Sequence, residues 1–421
     1  MIPVAAATIR RMVLRNGLVV LVRATPGSGS VAVAGFVRAG GIFDGDRPGL
    51  GRLAGVALMH GTHRRTARQL AEELDGLGAT LVVAPGLETT SIGGRALPDD
   101  LGTWLDLAAD VLMAPAYAPD EVEKVRGQLI TAARVNALDT RHAAERLFRR
   151  LAFPPAHPHS QPPDGEETVL AALLPQDLHA FHRSYVTPQA TALAIVGDVD
   201  AGRTADLAAA RFEAWPAGAP WALPAVPEPA RPPAPQRQEV TLPGKTQADL
   251  VLGTVGISRT APGYYAAMMA NLLLGQLGMM GRIGEHVRER QGIAYYAFSD
   301  LRAGLLAGPW WVRAGVNPAN LERAVEAILT EIAGLAGDGP TEEELADARR
   351  YLVGSMAVRL ETNQGIAQAL AEIELYGLGL DYLERYPALV EGIARDDVVA
   401  AMRRFPTDAY TLAIAAPEPP G

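Results

Sequence analysis

The side chains that could do chemistry are few and fall into short clusters. His60 and His63 flank a Gly61-Thr62 turn, and His179 and His182 stand three residues apart on a helical stretch, a spacing at which two imidazoles can share a metal ion. No carboxylate near either pair in sequence completes a three-ligand set, so packing explains these residues better than a relocated metal. His157 and His159 lie in a proline-rich loop and read as surface residues. Gly275, Gly278, Gly281 and Gly284 do not form a phosphate-binding loop, since no Lys-Ser or Lys-Thr follows them. The absence of cysteine removes disulfides, thiolate zinc sites and a cysteine nucleophile together.

The elements that must position these residues follow from apolar spacing. Asn16-Gly17 between two apolar runs is a two-residue hairpin signal, and Val31 to Val37 continues as a strand. A helix over Gly49 to Met59 follows, then one capped by Thr66 and ended by Gly78, with Leu70, Leu74 and Leu77 on one face. Strands at Thr80 to Ala84 and Thr89 to Gly93 lead to a helix that places Leu101, Trp104, Leu105 and Ala108 on one stripe. The second half offers the same order: a strand at Ala248 to Gly253, helices at Tyr264 to Leu277 and around Glu285 to Arg290, strands at Ala294 to Ser299 and Pro309 to Ala314, and a helix from Pro318 to Leu335. Strands gathered with helices, without strict alternation, predict an α+β fold of two homologous halves, each a largely antiparallel sheet packed with helices. The proline-rich stretch 216–236 reads as a linker between residues 1–215 and residues 237–421.

Composition narrows the partners. A net charge of -9 with dispersed Lys and Arg leaves no footprint for nucleic acid. No apolar run reaches membrane-spanning length, and Met1 to Arg11 lacks the apolar core of a signal peptide, so the expectation is a soluble, cytoplasmic protein with no membrane partner.

Several segments, in order, resemble the insulinase-like (M16) zinc metallopeptidases, particularly the short bacterial members related to mitochondrial processing peptidase. They are Leu14-Arg-Asn-Gly17, Ala39-Gly40, Gly49-Leu50, Gly61-Thr62, Leu77-Gly78-Ala79, His157-Pro158, and Phe181 to Pro188 leading to Val196-Gly-Asp-Val199. The resemblance implies two α+β halves enclosing a chamber and an inverted zinc motif, H-x-x-E-H, on the helix after the first strands. Here its three functional positions are Arg52, Gly55 and Val56. A guanidinium has no free lone pair and repels a cation, valine has no donor atom, and glycine offers no base. The family's further Glu ligand corresponds to the region of Ala132 and Ala133, and no Glu occurs between Glu123 and Glu145. The chain is therefore expected to hold no metal or other cofactor.

The family's second-half segment survives as Val287-Arg288-Glu289-Arg290-Gln291-Gly292-Ile293-Ala294-Tyr295. The resemblance implies that Arg288 and Tyr295 bind the substrate carbonyl and steady the oxyanion, a task suited to a cation and a phenol donor. It also implies a non-catalytic subunit of a heteromeric peptidase, inactive alone, that lends these residues to the zinc site of a homologous partner carrying H-x-x-E-H and acts on peptides. An isolated chain could also form homodimers. Two other readings fit the same residues: a structural or peptide-binding protein with no part in catalysis, and a metallopeptidase with a relocated metal site.

Overall fold

The hairpin around Asn16-Gly17 joins β1 (Arg10–Val13) to β2 (Val19–Ala24), with Val13 opposite Val19. Its loop holds three residues, not the two that Asn-Gly suggests. The Leu14 N–H bonds the Leu18 carbonyl at 2.8 Å, and Gly17 takes the left-handed conformation (φ 92°) that closes a turn into a bulge. The computed structural model describes residues 4–418, so Met1–Pro3, part of the stretch read above for a leader, lie outside it.

After β2 come β3 (Val31–Val37), α1 (Leu50–Ala57), α2 (Ala67–Gly76), β4 (Thr80–Pro85), β5 (Thr90–Ala96), α3 (Leu101–Met113) and α4 (Pro119–Ala137). Then α5 (Thr140–Ala152), α6 (Glu167–Ala172), α7 (Pro175–Tyr185), β6 (Thr191–Gly197) and α8 (Ala201–Phe212) complete the first half. The second half runs β7 (Gln236–Thr241), β8 (Ala248–Val255), α9 (Tyr264–Gly275), α10 (Gly281–Ile283), a π-helix (Gly284–Arg290), β9 (Ala294–Ala303) and β10 (Ala307–Val316). It ends with α11 (Leu321–Gly337), α12 (Glu342–Arg359), α13 (Asn363–Tyr376), α14 (Tyr382–Glu391), α15 (Arg395–Met402) and β11 (Thr411–Ala416). Thr66 starts α2 with a full capping box to Gln69, as its residue type requires.

The strands form two sheets, ordered β1-β2-β6-β3-β5-β4 and β7-β11-β8-β10-β9. Each has one parallel junction, β2 with β6 and β7 with β11, and is antiparallel elsewhere. Five strands of the first sheet thus match the second in order and direction, which makes the two halves the same α+β plan used twice.

Chain order and compactness part company at two helices. One unit comprises Met1–Ala133, Pro163–Pro224 and Met356–Arg385; the other comprises Arg134–Pro162, Ala225–Ser355 and Tyr386–Gly421. In the first, α13 from the second half of the chain packs on β3 and β6; in the second, α5 from the first half packs on the corresponding β8 and β11. This differs from a division at the proline-rich stretch, whose residues up to Pro224 belong to the first unit. There the Trp221 Nε1–H donates to the Arg38 carbonyl at 2.8 Å and its ring lies against the Arg38 guanidinium. With helices on both faces, every residue of β3, V-A-V-A-G-F-V, is buried.

Candidate functional site

The three residues that the resemblance sets against the zinc motif fall on α1, where i, i+3 and i+4 spacing turns Arg52, Gly55 and Val56 to one side. Arg52 is tied to the loop after α5: its Nη2 lies 3.3 Å from an Asp164 carboxylate oxygen and its Nη1 donates to the Pro163 carbonyl at 3.5 Å. Gly55 sits against β4, and a Cβ there would stand 2.6 Å from Cβ of Pro85 and 3.0 Å from its Cγ. Val56 packs half-buried against the core of its unit. These residues do not fit a zinc ion. One position carries a paired cation, one has an apolar side chain, and the third has no room for the carboxylate that would serve as base.

The helix start is held by Asp44, whose two carboxylate oxygens accept from the Gly49 and Gly51 N–H groups, both at 2.7 Å. Burial pushes this carboxyl up to about 6, against the opposite pull of those N–H donors and of Arg47. Tyr117, buried with a left-handed backbone (φ 44°), donates its hydroxyl to the Ala54 carbonyl at 3.2 Å. Nothing local in the sequence marks Tyr117 or Pro85 as a partner of α1. Asp44 had a signal, an acidic residue shortly before a glycine-flanked helix start.

The histidines take other partners. His60 Nδ1 lies 2.9 Å from Glu121, which also faces Lys124. His182 is buried and donates Nε2–H to the Leu112 carbonyl at 2.8 Å, and desolvation lowers its pKa from the ordinary histidine value. His179 meets the Tyr117 ring edge to face. Among the described residues no group of three or more His, Cys, Asp or Glu is placed to hold a metal ion. His157 and His159 are not surface residues: they are 2% and 7% exposed, stacked beside Phe153. The His159 N–H donates to His157 Nδ1 at 3.1 Å, and burial beside Arg149 drives the His159 ring down to about 3. The loop's prolines hid an interior turn, in which His157 and Ser160 find partners locally while His159 Nε2 is buried without one.

Arg288 and Tyr295 stand at either end of one short connection. Arg288 lies in the π-helix, whose wider turns insert one residue and are common where a side chain must be re-aimed. The Gly292 N–H, in a left-handed turn (φ 62°), donates to the Arg288 carbonyl at 3.1 Å, and the chain then enters β9 at Ala294. The Arg288 side chain is 39% exposed and only loosely paired with Glu289 at 3.7 Å, while Tyr295 is 62% exposed. β9 is an edge strand of its sheet. The neighbouring Tyr296 points the other way, where its hydroxyl donates to Asp249 and accepts from Arg141. Gly275, Gly278, Gly281 and Gly284, the last of which opens the π-helix, have structural reasons: Gly278 and Gly281 take left-handed backbone, and a side chain at Gly275 or Gly284 would meet Ser299 or the Met279 carbonyl.

No helix among the described residues is long and apolar enough to cross a membrane. The family model "Insulinase (Peptidase family M16)" matches residues 19–153, and the model "Peptidase M16 inactive domain" matches residues 173–352. An uncharacterized zinc protease of Streptomyces coelicolor is 27% identical over 94% of this chain and 87% of its own length. The uncharacterized zinc protease YmxG of Bacillus subtilis is 22% identical, covering 96% and 98%. Among solved structures, a peptidase M16 inactive domain from Pseudomonas fluorescens superposes with a TM-score of 0.90 at 24% identity over 98% of both chains. A protease from Helicobacter pylori gives 0.89 at 18% identity, over 97% of this chain and 99% of that one; both likenesses concern the fold. With successive family models matched along both halves and relatives aligned over nearly the whole length, this chain belongs to the insulinase-like M16 peptidase family.

Proposed function

We propose that this chain is the non-catalytic subunit of a heteromeric M16 peptidase. It would lend Arg288 and Tyr295 to a zinc centre carried by a homologous partner with an intact H-x-x-E-H motif. The observation that carries the reading is the contrast between two places. On α1 the metal positions are closed by a paired guanidinium, a valine and a glycine pressed against Pro85. Beyond the π-helix, Arg288 and Tyr295 remain open to solvent. As water attacks a peptide bond, negative charge grows on the carbonyl oxygen; a guanidinium and a phenol O–H aimed at it stabilise that charge more than the neutral ground state. Unfolded or short peptides are the substrates this suits, since an extended chain can add to an open edge strand such as β4 or β9.

The test mixes this chain with the homologous H-x-x-E-H protein from the same organism and follows cleavage of a quenched-fluorescent peptide. Neither protein alone is expected to cleave at an appreciable rate. Arg288→Ala and Tyr295→Phe should each lower kcat by roughly 10²-fold, the scale of losing one oxyanion donor. Unchanged rates in both variants would remove the shared-site reading and leave a peptide-binding or structural subunit.

A further inference from the structure

The first unit carries a groove that the zinc-motif argument does not use. Helix α13 crosses the sheet over β3 and β6 and stops short of the β5–β4 hairpin, so the outer face of that hairpin stays uncovered. The resulting cavity has a volume of about 530 Å³. Its floor is shallow because the strands present Ala34 and Gly93 there, and its inner wall is the α13 stripe Gln364, Gln368, Glu372 and Leu375. The outer wall is Val82, an apolar side chain left 58% exposed on the edge strand. At one end lies Arg95, two residues beyond Gly93 on the same face of β5.

Three polar groups in this groove are free. Among the described residues the side chains of Arg95, Gln364 and Gln368 take no hydrogen-bond or ion-pair partner, whereas Glu372 is engaged by Arg359 at 3.1 Å. Arg95 has no counterion and Glu372 is neutralised by Arg359, which leaves the groove locally positive on a chain of net charge -9. Two carboxamides four residues apart on a helix present donors and acceptors about 6 Å apart, close to the repeat of alternate residues in an extended chain. From Gln364 to Leu375 the helix advances about 16 Å, the length of about five extended residues.

We propose that this face is a peptide-binding groove that takes about five residues of extended chain. An apolar side chain would lie over Gly93 between Val82 and Leu375, and an acidic side chain two positions away would pair with Arg95. Gln364 and Gln368 hydrogen-bond the peptide backbone, so the groove selects for an acidic residue two places from an aliphatic one and tolerates the rest. The inference rests on the reading above only in taking peptides as what the chain handles; it needs neither Arg288 nor Tyr295.

Fluorescence anisotropy on the full chain tests it, with a labelled heptapeptide holding a central Leu and an Asp two residues away, and the same peptide with Lys in place of Asp. The Asp peptide should bind at least tenfold more tightly. Arg95→Glu, a change at an exposed position, should reverse that preference, and the double variant Gln364→Ala, Gln368→Ala should weaken both peptides by about tenfold without altering the melting temperature. Equal binding of the two peptides, no binding of either up to concentrations on the order of 1 mM, or a preference untouched by Arg95→Glu would each overturn the groove. Anisotropy intact with cleavage insensitive to Arg288 and Tyr295 would sink the shared-site reading alone, and the converse pattern would sink the groove alone.

Discussion

Gly55 shows how packing closes a position on α1. The missing Cβ of Gly55 is the space Pro85 occupies, so on the proposed reading the zinc motif cannot be rebuilt by restoring ligands alone. Gly55→Glu is expected to destabilise the chain by about 1–3 kcal/mol through overpacking, read by chemical denaturation. The triple variant Arg52→His, Gly55→Glu, Val56→His should bind no stoichiometric zinc in metal analysis after dialysis. A one-to-one zinc content would show that α1 and β4 part more readily than this contact implies. Asp44, at the start of the same helix, makes a pH-dependent prediction. Its carboxyl is pushed up to about 6, above the unfolded value of about 3.9, so the folded chain holds the proton more tightly. The stability this adds is complete below the unfolded value and is lost as pH rises through about 6. Between pH 4 and pH 7.5 the stability gap between the parent and Asp44→Asn should therefore move by ~2–3 kcal/mol in favour of the variant. Thermal unfolding at a series of pH values checks this, and a constant gap would contradict it.

At the scale of elements, α5 is held on its sheet by one buried carboxylate. Asp249 of β8 accepts from the Thr140 hydroxyl at 2.5 Å, from the Tyr296 hydroxyl and from Gln247, while Arg141 donates to the Tyr296 oxygen at 3.1 Å. Thr140 and Arg141 form the first turn of α5, so the network fixes where this helix lands. Asp249→Ala leaves the Thr140 and Tyr296 hydroxyls and the Gln247 carboxamide without their acceptor and should cost about 3 kcal/mol. Hydrogen exchange should rise first in α5; loss of protection confined to β8 would place the carboxylate's role elsewhere. The helices and strands themselves were largely readable, since Val31–Val37 and the Thr66 cap follow from apolar runs and a capping residue. The π-helix was not, because its i to i+5 bonding depends on how α10 and β9 constrain the chain on either side.

For the whole molecule, the exchange of α13 and α5 means that neither half of the sequence is a self-sufficient folding unit. Residues 1–215 lack the helix that covers β3 and β6, and residues 237–421 lack the one that covers β8 and β11. Expressed separately, each fragment leaves an apolar sheet face in water and is expected to aggregate or bind a hydrophobic dye. Mixing the two during refolding should recover a cooperative unfolding transition. A cooperative transition in either fragment alone would mean that its sheet closes without the exchanged helix.

What the sequence alone determined is chemical identity at each position. The arginine, glycine and valine at 52, 55 and 56, the absence of cysteine, and the Arg288 and Tyr295 pair are facts of composition and order. The repeated run of strands and helices belongs here too, because propensity and periodicity act over a few residues. Only the tertiary structure decided that Pro85 closes on Gly55, that His157 and His159 are interior, that Asp249 anchors α5, and that the compact units trade helices. Each of these joins residues far apart in the chain or buries polar groups with partners supplied elsewhere. Their energies come from desolvation and packing after chain closure, which no local pattern of residues encodes.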